Sequence, residues 1–263
     1  MSMDAIPVWA LFAATTIVVV LAIEVGYKLG HTAHRRSENE KESPVSAIAA
    51  TVLGLLAFIL AFTFAIVTDR YDARKALVRE EANAIRTAWL RSDFLPEPDR
   101  GEAAGLLREY VNRRLAAVQS NNLDQVHNAL IESVRIQRQL WDMAVVNARK
   151  DMNSDVAALY IESLNELSNL HALRVAVGLQ ARIPGAIWVV LYALVILGMI
   201  AVGYQTAIAG SRRTWAMLIL ALSFSLVIAL IAELDGPGSG HIRVPQQPLV
   251  DLRALMAAGL ETR

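Results

Sequence analysis

The stretch FTFAIVTDRYDARKALVREE, residues 62–81, decides how the chain is organised. It begins with an apolar segment that contains one threonine, and it ends with a segment rich in Arg, Lys, Asp and Glu. Neither Gly nor Pro, the residues that most often interrupt a helix, occurs anywhere in it. The stretch therefore predicts a membrane-spanning helix that continues into water without ending.

The overall composition is that of a membrane protein with a large polar portion. The chain is 55% hydrophobic, with a mean hydropathy of +0.39, yet it carries 25 basic and 25 acidic residues. A formal net charge of zero provides no global field for nucleic acid, so no nucleic-acid partner is expected. The absence of cysteine excludes disulfides, thiolate metal sites and cysteine nucleophiles.

Four apolar runs account for the hydrophobic excess. Each approaches or exceeds the roughly 18–20 residues that a helix needs to cross about 30 Å of hydrocarbon. They begin at Ile6, Ser46, Ala186 and Thr214. We therefore expect four transmembrane helices in a lipid bilayer.

The region between the second and third runs differs in character. It is rich in Ala, Leu, Arg, Glu and Gln, which are good helix formers, and its charges are dense and balanced. Breaks at FLPEPDRG, SNNLDQ and KDMNSD divide it, and RIPG from Arg182 separates it from the third run. These breaks predict four helices, at 69–93, 98–120, 123–149 and 154–182.

The resulting fold class is all-α, an integral membrane protein with an extramembrane helical bundle inserted between spans two and three. The first bundle helix is expected to continue directly from span two. The predicted division is 1–68 for spans one and two, 69–183 for the bundle, 184–234 for spans three and four, and 235–263 for a C-terminal tail. The segment LVDLRALMAAGL in that tail predicts a short amphipathic helix.

A stripe of small residues runs along span two. Its members recur every three or four positions and therefore share one helical face. Such a face serves either close helix packing, which is the commoner use, or the lining of a narrow pore in an oligomer. Two phenylalanines on another face would suit a dewetting constriction. The candidates are Gly54, Ala57, Ala61, Ala65 and Thr68 on the stripe, with Phe58 and Phe62 beside it.

A second candidate is the polar cluster Glu80, Glu81 and Asn83 in EEANAI. Its members either lie on a solvated helix face or are buried against Arg side chains from other helices.

Glu24, Glu233 and Asp235 lie at span ends and are expected to be interfacial. The sequence contains no serine nucleophile elbow, HExxH or Walker motif, and its histidines form no convincing metal site. We expect no enzyme activity, no cofactor and no metal.

The short loops suggest which side of the membrane the bundle occupies. Lys28, Arg35, Arg36 and Lys41 follow the first span, and Arg212 and Arg213 lie between spans three and four. The positive-inside rule places these loops in the cytoplasm, so the bundle and both termini would face the periplasm.

Two longer stretches resemble the bestrophin-like family of bacterial membrane proteins. They are LLAFILAFTFAIVTDRYDARKALVREEANAIRTAWLRSDFLP, residues 55–96, and ELDGPGSGHIRVPQQPL, residues 233–249. The second departs from the family pattern at Gly236 and Gly238, where a basic residue and often an aromatic residue are expected. The resemblance implies kinship with bestrophins, which are pentameric anion channels with cytoplasmic helical domains. It therefore implies the opposite side for the bundle from that given by the charge pattern.

Two functions follow from these observations. The first is an oligomeric ion channel in the bacterial inner membrane, a homo-oligomer with span two lining or packing near the pore and an inorganic ion as permeant. The second is a membrane-anchored sensor or scaffold whose helical bundle binds a partner or ligand.

Overall fold

The computed structural model describes residues 7–36, 42–120, 123–180, 182–210, 215–236 and 242–261. All regular secondary structure in these ranges is helical. A 3-10 turn covers Ser92–Phe94 and a π-helical turn covers Ala176–Gln180. The α-helices are α1 (Val8–Arg36), α2 (Glu42–Arg91), α3 (Asp99–Gln119), α4 (Leu123–Ala148), α5 (Asp155–Val175), α6 (Gly185–Ile208), α7 (Trp215–Asp235) and α8 (Gln247–Glu261).

Four helices, α1, α2, α6 and α7, are long and apolar enough to cross a membrane, so the four apolar helices predicted from the sequence are present. The longest is α2, with 50 residues. It passes from the apolar run through the charged segment after Thr68 without interruption, as the absence of Gly and Pro predicts. Several charges cited for sidedness, Lys41, Arg212 and Arg213, lie outside the described residues.

The chain divides into two compact units, and the first comprises Met1–Tyr71 and Arg182–Ile242. It contains α1, α6, α7 and the apolar part of α2. Its core consists mainly of aliphatic side chains from all four helices, with Val19, Leu56, Leu191 and Ile228 fully buried. Many other apolar side chains in these helices are exposed, as expected of surfaces that face lipid.

Helices α1 and α6 approach each other at glycines. A Cβ atom added to Gly26 would lie 2.1 Å from the carbonyl oxygen of Ile200, and one added to Gly203 would lie 2.1 Å from that of Ile23. Only glycine leaves room for this backbone contact. The close helix packing within the first unit is therefore made by α1 and α6, and the small residues of α2 that were singled out from sequence lie elsewhere.

The second unit comprises Asp72–Ala181 and Arg243–Arg263. It contains α3, α4, α5, α8 and the charged part of α2, packed around one hydrophobic core. Ile85, Leu107, Ile136 and Leu167 contribute fully buried side chains from four different helices. The predicted amphipathic helix of the tail is present as α8, and its apolar face enters the same core through Leu249, Leu252 and Met256.

The helix ends follow local sequence signals. The Ser154 hydroxyl accepts a hydrogen bond from the Ala157 amide (3.2 Å) and so caps the start of α5. Residues 182–184 are not helical, and α6 starts directly after Pro184, in agreement with the break predicted at RIPG.

Candidate functional site

The small-residue face of α2 lies on the surface of the first unit. Gly54, Ala57, Ala61 and Ala65 are all exposed, and Thr68 is half-buried with its hydroxyl bonded to the Phe64 carbonyl (2.9 Å). A Cβ atom added to Gly54 would meet nothing within 4 Å. Within the described residues, this face therefore packs closely against none of the other three apolar helices.

The opposite face of α2 holds the helix in the first unit. Leu56, Leu60 and Val67 are buried in the hydrophobic core there. Phe58 and Phe62 lie away from that core, exposed and in contact with each other, with ring centroids 4.6 Å apart. In a bilayer, a face made of small residues and two phenylalanines contacts lipid, another subunit or an aqueous path.

The predicted polar cluster divides between the interior and the surface of the second unit. Glu81 is fully buried (0% exposed), whereas Glu80 and Asn83 are exposed. Glu81 forms two ion pairs: its Oε1 atom lies 3.0 Å from Arg114 Nε, and its Oε2 atom pairs with Arg174. The sequence alternative of burial against arginines from other helices therefore holds for Glu81 alone.

A tyrosine and a histidine complete the buried cluster. The Tyr110 hydroxyl donates to Glu81 Oε1 (2.8 Å), lies 3.0 Å from His171 Nδ1 and accepts from Gln137 Nε2 (3.3 Å). A phenol has one hydroxyl hydrogen to donate. The ionised carboxylate of Glu81 receives this hydrogen bond, because a carboxylate can only accept. His171 Nδ1 must then donate to the phenol oxygen, which fixes the neutral tautomer of the imidazole.

The charges of the cluster follow from its burial and its ion pairs. Burial by itself raises the pKa of Glu81, but the guanidinium groups of Arg114 and Arg174 outweigh this and leave it below its usual value. Burial and the neighbouring Glu81 carboxylate raise the pKa of Tyr110 well above 10. Burial, reinforced by Arg114, lowers the pKa of His171 to about 4. At neutral pH the carboxylate is therefore charged, and the phenol and imidazole are neutral.

Most residues of this cluster were absent from the sequence-based candidates. Arg114 and Arg174 lie on α3 and α5, far from Glu81 along the chain, and no local motif links them. His171, also on α5, joins the cluster through its hydrogen bond to Tyr110.

Glu80 and Asn83 line a cleft between α2 and α5. The cleft has a volume of about 500 Å³. Thr87, one helical turn beyond Asn83 on α2, also lines it. The remaining lining residues are Ala84, Arg91, Glu162, Ser163, Glu166 and Leu170. Glu80 and Glu166 have no ion-pair partner among the described residues, whereas Glu162 lies 3.5 Å from Arg91.

Acidic residues at the end of α7 tie the first unit together. Asp235 accepts a hydrogen bond from the Ile183 amide (3.0 Å) and lies 3.5 Å from Arg70 Nη1. Glu233 accepts one from the Ile242 amide (3.0 Å). Both acids are buried in the unit, so they are more enclosed than the interfacial position expected from sequence. In the second half of α1, Glu24 pairs with Lys28 (3.7 Å).

No group of three or more His, Cys, Asp or Glu side chains in the described parts of the chain is arranged to hold a metal ion.

The four membrane-length helices define the class of protein as an all-α, multi-pass membrane protein. A family model described as a Bestrophin-like domain matches residues 10–249. The chain therefore belongs to the bestrophin-like family.

Solved structures share the fold. A bacterial bestrophin homolog from Klebsiella pneumoniae, phased by Zn-SAD, aligns with a TM-score of 0.61 at 14% identity, covering 94% of this chain and 96% of that chain. A crystal structure described as that of a membrane protein aligns with a TM-score of 0.63 at 13% identity, covering 95% and 97%. At these identities the likeness establishes the fold alone. A comparison with curated proteins gives no match.

Proposed function

We propose that the chain is one subunit of a homo-oligomeric ion channel in the bacterial inner membrane, with the small-residue face of α2 lining the pore. The observation that supports this most directly is the exposure of Gly54, Ala57, Ala61 and Ala65 in a chain of the bestrophin-like family. In a membrane helix, small side chains that pack against nothing in their own chain are suited to a narrow passage.

A pore on this face requires several subunits. The described side chains of α1, α2, α6 and α7 pack into a hydrophobic core inside the first unit, so a pore is better placed between subunits than within one. Copies arranged about an axis would bring their α2 faces together around a shared path for an inorganic ion. Phe58 and Phe62 then stand beside that path, where exchange of aromatic and small residues would change its width.

The second unit forms the extramembrane helical bundle in this proposal. The bundle predicted at 69–183 holds the buried charge cluster around Glu81, which is suited to a water-exposed unit better than to hydrocarbon. The short-loop charges favour the periplasm for this unit, and the bestrophin resemblance favours the cytoplasm. The chain has no cysteine, so a Met152→Cys variant with its exposed thiol distinguishes the two. Labelling of intact cells by an impermeant maleimide indicates the periplasm, and protection until lysis indicates the cytoplasm.

Ion flux tests the channel directly. Full-length protein in vesicles is expected to conduct, and Ala61→Trp is expected to abolish flux because the indole fills the small-residue face. Val189→Trp is the matched control, since Val189 is an exposed side chain of α6 that can be enlarged towards lipid. Flux that survives Ala61→Trp at the wild-type level would rule out this face as the pathway.

The second candidate function is a membrane-anchored sensor or scaffold. The cleft of about 500 Å³ between α2 and α5 favours it, because the cleft offers acidic, amide and hydroxyl groups to a ligand. This function predicts flux no greater than that of empty vesicles at any voltage or pH tested. It also predicts saturable ligand binding that Asn83→Ala weakens.

A further inference from the structure

Helix α4 carries an apolar stripe that the second unit leaves uncovered. Ile131 and Val134 are each 52% exposed, and Trp141 is 38% exposed. The opposite face of α4, including Ile136 and Leu140, is fully buried in the core of the unit. The exposed stripe is therefore not the face that holds α4 in its own fold.

A basic residue interrupts the middle of this stripe. Arg138 lies between Val134 and Trp141 at helical spacing, is exposed, and has no ion-pair partner within the described part of the chain. Together with Val145 these residues recur at intervals of three and four, the spacing of a helix that packs lengthwise against others. The α4 face therefore has apolar ends and a basic centre.

The cleft between α2 and α5 has the complementary pattern. Glu80, Glu162 and Glu166 supply three carboxylates to its lining, with Arg91 as the one basic lining residue among those described. On α5, Leu159 and Leu173 lie on the face of Glu166, one towards each end, and are 42% and 49% exposed. This face has apolar ends and an acidic centre.

The two faces also match in length. The α4 stripe from Ile131 to Val145 and the α5 face from Leu159 to Leu173 each extend over about 21 Å at 1.5 Å per residue. Apolar contacts at both ends would exclude water from the central charge pairs, which strengthens them and fixes the register.

From this complementarity we infer that α4 of one subunit docks in the α2–α5 cleft of a second copy of the chain, with Arg138 directed at Glu162 and Glu166. The inference rests on the proposed function only in requiring several subunits. Because the two faces are different surfaces of one unit, the contact is heterologous, and repetition of it closes a ring when the rotation permits.

Disulfide trapping tests this contact in the full-length protein, since the chain has no native cysteine. The test variant is Arg138→Cys with Glu166→Cys, in membranes under mild oxidation. The control is Arg113→Cys with Glu166→Cys, since Arg113 is also exposed but lies on α3. We expect a ladder of covalent oligomers on denaturing gels for the test variant, lost on reduction, and none for the control or either single variant.

Other outcomes separate the contact from the oligomer. An oligomeric mass by light scattering without a ladder would overturn this docking face and leave the oligomeric channel standing. A monomeric mass without a ladder would overturn both. A ladder of equal strength in the control would indicate random collision and also overturn the docking face.

Charge exchange provides a second readout. Arg138→Glu is expected to reduce the oligomeric fraction, because it places a carboxylate opposite those of Glu162 and Glu166. Adding Glu166→Arg is expected to restore the oligomeric fraction. Reduction without restoration would show that Arg138 acts through some surface other than this cleft.

Discussion

At the residue scale, Glu81 is the centre of the buried charge cluster in the second unit. Its carboxylate is matched by the two guanidinium groups of Arg114 and Arg174, and it also accepts the Tyr110 hydrogen. A buried ion pair adds little net stability over a hydrophobic replacement, but removal of one partner leaves the other buried and uncompensated. Glu81 is therefore the residue of this cluster whose loss leaves most charge unmatched.

Glu81→Gln is expected to destabilise the second unit by about 3–5 kcal/mol, because two buried arginines lose their counter-charge. Thermal unfolding of the purified protein in detergent measures this change. Glu80→Gln is the matched control: the neighbouring side chain is exposed, and its change is expected to stay within about 0.5 kcal/mol. Equal stability of the two variants would contradict the role assigned to Glu81.

His171 gives the same unit a dependence on pH. Its pKa is about 4 in the folded protein, below the ordinary value of 6.5. Between these two pH values the imidazole is protonated in the unfolded chain but neutral in the folded protein, so protonation favours the unfolded state. Stability is therefore complete above pH 6.5 and falls as the pH drops towards 4, by about 3 kcal/mol in all.

Melting temperatures across that pH range measure the effect. His171→Gln is expected to flatten the decline, since an amide retains a donor for Tyr110 and does not titrate. His127→Gln, at an exposed position on α4, is expected to leave the decline as it is in the wild type. The carboxylate of Glu81, with its lowered pKa, begins to lose its contribution only below its ordinary pKa of 4.5.

The burial of Glu81 was accessible from the sequence. Glu81 lies three residues after Val78 and four before Ile85, two apolar residues that share one helical face, whereas Glu80 and Asn83 lie off that face. Helical periodicity thus separates the buried acid from its exposed neighbours. Its partners were not accessible, because Arg114 and Arg174 meet it only through tertiary packing.

At the element scale, the spans and the breaks between helices followed from local signals. The lengths of the four apolar runs predicted α1, α2, α6 and α7, and Pro184 predicted where α6 starts. The assignment of close packing was less accessible. Gly26 and Gly30 are four residues apart on α1, but both contact α6, which lies more than half the chain away in sequence. The spacing of small residues within one helix does not show which other helix packs against it.

Gly203→Ala is expected to destabilise the first unit, because the new methyl group would lie 2.1 Å from the Ile23 carbonyl oxygen and force α1 and α6 apart. Gly54→Ala provides the contrast, since nothing lies within 4 Å of its added carbon and alanine favours a helix over glycine by about 1 kcal/mol. Melting temperatures in detergent should fall for the first variant and hold or rise for the second. A tolerated Gly203→Ala would refute the close approach of the two helices.

At the scale of the whole molecule, the second unit is discontinuous along the chain. Residues 72–181 supply most of its helices, and the chain returns to it after α7 with residues 243–263. Sequence patterns indicated an amphipathic helix in the tail but not the surface that it covers, because that surface exists only once the other helices have packed. Gln246 strengthens the return by accepting from Arg174 Nη2 (3.1 Å), beside the Glu81 ion pair.

The return of the chain makes the second unit dependent on the last helix. Leu252 and Met256 are buried in its core, and a large-to-alanine change at a buried leucine or methionine costs about 2–5 kcal/mol. Met256→Ala is therefore expected to speed amide exchange in α3 and in residues 78–91 of α2, while exchange in α1 and α6 stays slow because they belong to a separate core. Leu255→Ala, an exposed change on the same helix, is the control. Hydrogen exchange read by mass spectrometry resolves these segments, and unchanged exchange in α3 would mean that α8 covers the unit without stabilising it.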